Sequence, residues 1–101
     1  MDSVVKIWNS TFSSIHQSAH DYLVNKGINM DEKQLEFAVF CLENVAEHLN
    51  LSGDKVYKLL TEDSNILDSY IIPNYDTLHT QGKHYIVDDI VTYMRQEKLI
   101  K

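Results

Sequence analysis

The chain has 101 residues, one cysteine and a formal charge of −6 from nine basic and fifteen acidic side chains. That length gives one domain able to bury roughly 60 to 70% of the surface its unfolded chain exposes, and the overall field repels phosphate backbones and anionic lipid. No run approaches the roughly 18 apolar residues of a membrane span, Lys6 and Asn9 interrupt any signal-peptide pattern, and an unpaired Cys41 points to a reducing, cytoplasmic setting.

Val4, Val5, Trp8, Phe12, Ile15, Ala19, Tyr22 and Leu23 recur at helical spacing and predict an amphipathic first helix, which Gly27 would end. Ser10, Thr11, Ser13 and Ser14 are weak helix formers, so packing must hold it. The stripe from Val4 to Leu23 either packs internally or pairs with its copy in a homodimer. Asp31 and Gln34 have the spacing of a capping box ahead of Leu35, Phe37, Ala38, Val39, Phe40, Cys41, Leu42, Val45, Ala46 and Leu49. That composition predicts a central helix contacted on more than one side.

Asn50 to Gly53 breaks the pattern, Ser52 supplies a cap, and Val56, Leu59 and Leu60 form the inner side of a short third helix. Ile66, Leu67, Tyr70 and Ile71 predict another short helix that stops before Pro73, because proline disfavours helical geometry at Ile72. A polar, aromatic-bearing turn should follow. The last helix carries Tyr85, Ile86, Ile90, Tyr93, Met94 and Leu99, with Asp88 and Asp89 placed early and Arg95 and Lys98 late, as its dipole prefers. The expected fold is all-α, a compact bundle of four to five helices, in one domain with residues 31–101 as its core.

Four constellations could carry function. Leu42 to Leu60 has the spacing of a helix-turn-helix, which would offer Ser52, Lys55, Tyr57 and Lys58 to DNA. Glu43, Glu47, Glu62 and Asp63 surround it with negative charge, so a structural hairpin is the stronger reading. His16 with His20, and His79 with His84, are pairs without a third ligand at a recognised metal spacing, and no metal or cofactor is expected. Cys41 sits among apolar residues, where a thiol is core filler. The stretch Tyr70 to His84 crowds Tyr70, Asn74, Tyr75, Asp76, His79, Thr80, Gln81, Lys83 and His84 beside Ile71, Ile72 and Leu78. It reads as a partner-recognition surface or as a set of turn and helix caps. No nucleophile–base pair, phosphate loop or glycine-rich fingerprint is present, which argues against an enzyme.

The segments FAVFCLENVAEHLNLSGDKVYKLL, ILDSYIIPNYDTLHTQGK and YIVDDIVTYM, in that order, resemble a small bacterial family known as domain of unknown function three-seven-nine-one. The resemblance runs from Leu35 to Met94. Residues 1–30 lie outside it, and the tail Gln96, Glu97, Lys98, Leu99 lacks a glycine expected there. The resemblance assigns no catalytic residues. It implies a partner similar in fold to ADP-ribosyltransferases, in an arrangement like that of a toxin and its neutralising protein. The expectation is a non-enzymatic protein-binding module, with a helix-turn-helix DNA regulator as the alternative.

Overall fold

A computed structural model describes residues 15–101, and all its regular structure is helical. Helix α1 covers residues 15–25, α2 spans Glu32–Leu49, and α3 spans Gly53–Thr61. A π-helix, Leu67–Ile71, leads to a single turn, α4 (Tyr75–Leu78), and then to α5 (Lys83–Gln96). α2 is the spine. It packs on α3 along one side and on α5 along another, as its apolar run requires.

Local chemistry sets the ends of these helices. Asp31 accepts the Gln34 backbone N–H at 2.8 Å while the Gln34 side chain accepts the Asp31 N–H at 2.9 Å, completing the capping box that starts α2. Ser52 Oγ accepts the Lys55 N–H at 3.1 Å and starts α3. Three helices end alike. Ile28 N–H reaches Leu23 O while Gly27 N–H reaches Val24 O; Leu51 and Asn50 repeat the pattern on Ala46 and Glu47; Leu99 and Lys98 repeat it on Met94 and Arg95. This double bond requires a left-handed residue at the bend, and Gly27, Asn50 and Lys98 have φ of 75°, 57° and 60°.

One apolar core unites all these elements. From α1, Ile15, Ala19 and Leu23 are at most 3% exposed and join Leu35, Val39, Leu42, Val56, Leu60, Leu67, Ile71, Ile90 and Met94. Burying a side chain such as Leu23 contributes about 2 kcal/mol. The described part of the first apolar stripe therefore packs internally, and those three residues cannot serve a homodimer; Val4 to Phe12 lie outside the described residues. Close approach here has a specific cause. A Cβ on Gly53 would stand 2.5 Å from Ile15 Cδ1 and 3.1 Å from Glu43 Oε1, so the start of α3 meets α1 and α2 closely enough that a larger residue there would require the Ile15 side chain to shift.

The expectations about Pro73 and about acidic residues early in α5 need correction. Ile72 keeps right-handed helical geometry at φ −65°, ψ −49°, although it precedes the proline. In an α-helix the proline ring would press on the carbonyl four residues back. Here the chain has widened to i→i+5 bonding, with Ile72 N–H reaching Leu67 O, and this changes the spacing just ahead of the ring. The stretch after Pro73 is then a helical turn, α4, rather than an irregular one. α5 begins two residues ahead of Tyr85, with Lys83 and His84 in its first turn and no acidic residue there. Asp89 sits farther along the helix, where it meets Tyr70 instead of the helix dipole.

Candidate functional site

The nine candidate residues of the Tyr70 to His84 stretch do not form one surface; four of them converge and five do not. Tyr70 turns inward. Its hydroxyl donates to Asp89 Oδ2 at 2.5 Å and its ring lies 4.8 Å from that of Tyr93. Burial, and then the Asp89 carboxylate, push the phenol up to about 12. Asn74 donates its amide to Tyr70 O at 2.7 Å, and Thr80 donates its hydroxyl to Thr77 O at 2.8 Å, so both hold backbone. Asp76 is exposed. His84 faces the opposite end of α2, where it lines a shallow hollow with Asn44, Glu47, His48, Lys83 and Val87.

Tyr75, His79, Gln81 and Lys83 do converge. With Lys33, Glu36, Phe37 and Phe40 of α2 and Ile86 of α5, they line an open groove of about 390 Å³. Its aromatic lining is continuous. The Tyr75 ring lies flat against His79 at 4.2 Å and meets Phe37 edge-on at 5.4 Å, and Phe37 stacks on Phe40 at 6.2 Å. α4 sets this array, because residues four apart share a helix face, which places His79 over Tyr75. The His79 Nδ1 lies 2.6 Å from Tyr75 O, and since a carbonyl only accepts, Nδ1 carries the proton and Nε2 is left for a ligand. Phe40 is 36% exposed on an otherwise buried run and is the large apolar side chain open at the groove.

The α2 half of this groove was hidden in the sequence. Phe37 and Phe40 belong to a nearly unbroken apolar run, and periodicity cannot say which side of a central helix stays open. Lys33 and Glu36, near the start of α2, carry no sequence signal that would single them out.

The other candidates take structural positions. In the hairpin, the Ser52 hydroxyl is committed to its cap, and the Tyr57 hydroxyl donates to Ser18 O of α1 at 3.1 Å, so α1 covers that side of α3. Lys55 and Lys58 remain exposed. His16 Nε2 lies 3.1 Å from Glu32, His20 Nδ1 lies 3.5 Å from Asp21, and no three potential metal ligands converge among the described residues. Cys41 is fully buried, and burial raises its thiol pKa far above the ordinary value, which leaves it inert. Among the described residues, no helix is long and apolar enough to cross a membrane.

Residues 36–97 match the profile of a family described as Protein of unknown function (DUF3791). Comparison with curated proteins and with solved structures gave no match.

Proposed function

The chain belongs to the DUF3791 family, whose description carries no activity, and we propose that it is a non-enzymatic module that binds a protein partner through the groove between α2 and the Tyr75–Lys83 segment. The observation behind this reading is the aromatic lining: Phe37, Phe40, Tyr75 and His79 give a large contact area from side chains with few rotatable bonds. The setting is the cytoplasm, consistent with a single buried thiol.

The family resemblance makes an ADP-ribosyltransferase-like toxin the partner to test first, with this chain as its neutraliser. A charge of −6 would speed capture of a basic or nucleotide-binding cleft. The direct test is co-purification with the product of the neighbouring gene. Combined Tyr75→Ala and His79→Ala should weaken that complex at least tenfold while leaving the helical circular dichroism signal intact; unchanged affinity would remove this surface from consideration.

The exposure of Lys55 and Lys58 supports a second reading, a DNA-binding regulator acting on its own promoter. That reading requires salt-sensitive binding lost in a Lys55→Ala, Lys58→Ala variant. Absence of a gel shift at low salt would exclude it.

A further inference from the structure

The charges around the groove select among partners. Lys33 and Glu36 stand three residues apart on the first turns of α2, Lys83 opens α5, and His79 and Gln81 lie between them on the α4 side. Lys33 and Lys83 are exposed, and neither has an ion-pair partner, the salt bridges among the described residues being those of His16 and His20. Two uncompensated ammonium groups therefore border an apolar floor in a chain whose net charge is strongly negative. Glu36 can offset one of them at most. Lys83 also sits in the first turn of its helix, where the dipole opposes a cation, and Glu47, which lines the neighbouring hollow with it, forms no ion pair with it.

We infer that the groove takes a large apolar side chain of a protein partner, aromatic or branched aliphatic, from a segment whose adjacent residues are Asp or Glu. This rests on the protein-binding reading above and specifies its ligand. The anchor would lie on Phe37, Phe40, Tyr75 and Ile86, and the carboxylates beside it would meet Lys33 and Lys83. A basic segment would set cation against cation at both rims, with Glu36 as its single counter-charge. The overall negative field does not conflict with this choice. Salt screens charge beyond roughly 8 Å, so the field steers the approach of a partner while the rim lysines act on whatever has entered the groove.

The test is selection of phage-displayed random peptides of about twelve residues on the immobilised full-length chain. Phe40→Ser and combined Lys33→Glu, Lys83→Glu serve as counter-targets, each first checked by circular dichroism. Recovered peptides should share a Phe, Tyr, Trp, Leu or Ile with Asp or Glu within two positions. By fluorescence anisotropy the best of them should lose binding to the Phe40→Ser variant and about tenfold in affinity to the double lysine variant. Selection on the double variant should favour Lys and Arg beside the same anchor. Failure to enrich any peptide, enrichment without acidic neighbours, or self-association of the chain through this groove would each overturn the inference. A neighbouring gene product that binds Phe40→Ser as tightly as the unaltered chain would sink the inference yet leave a protein-binding role standing on another surface.

Discussion

Two half-buried tyrosines lock the π-helix between its neighbours. Tyr22 of α1 donates to Asp68 Oδ1 at 2.8 Å, and Tyr70 donates to Asp89 of α5, so two positions of one short element are tied in opposite directions. Tyr70→Phe should cost about 1 to 2 kcal/mol, because it leaves the Asp89 carboxylate partly buried without its donor; urea titration measures the loss. Glu43 contributes with the opposite sign. Oε1 is buried with no hydrogen-bond partner among the described residues, and burial, followed by the charge of Asp54, raises the carboxyl above the ordinary glutamate range. A carboxyl whose folded pKa exceeds its unfolded one holds its proton more tightly in the native state. Its stabilising share is complete below the unfolded pKa and falls away as pH rises through the folded value. Glu43→Gln should therefore raise the melting temperature at pH 7, and the gain should shrink as the buffer is taken down to pH 4. An equal gain at both would assign the effect to packing.

Helix ends show where local sequence suffices. The capping box of Asp31 and Gln34 and the cap at Ser52 involve atoms three residues apart, so sequence spacing alone revealed them. The end of α5 is equally local but carries the wrong residue. Lys98 holds φ 60°, a conformation that costs an L side chain about 1 kcal/mol and glycine almost nothing, and it stands in the tail where the family resemblance leads one to expect glycine. Lys98→Gly should stabilise the protein by about 0.5 to 1 kcal/mol in chemical denaturation, even though it removes no clash and adds no contact. The π-helix was not legible in this way. Ile66, Leu67, Tyr70 and Ile71 suit a narrower helix equally well, and the side-chain partners of the wider turn, Tyr22 and Asp89, are far away in the chain. The groove was half legible for a related reason: Tyr75, His79, Gln81 and Lys83 stood out as polar and aromatic residues near a proline. Phe37 and Phe40 gave no sign, because exposure on a central helix is decided by what α5 and α4 fail to cover.

At the scale of the molecule, the family match and the folding unit have different limits. Residues 36–97 contain the groove except for Lys33 at its rim, yet Ile15, Ala19, Leu23 and Leu35 also lie outside them and are buried in the same core. A fragment of residues 36–97 should lack a cooperative thermal transition and bind a hydrophobic dye, while the full chain melts in one step; a sharp transition in the fragment would show that α1 is dispensable. Phe37 belongs at once to this core and to the groove, being 9% exposed and in contact with Tyr75 and Phe40. Beside it, α4 is one turn long with no side-chain cap at its start. Such a turn opens at little cost in the free protein. Filling the groove would therefore brace the α4 edge of the domain, and the amide protons of Leu78 and His79, bonded to Asn74 and Tyr75, should exchange with deuterium more slowly once a partner is bound. The buried amides in the middle of α2 would already be protected in both states and should hardly change.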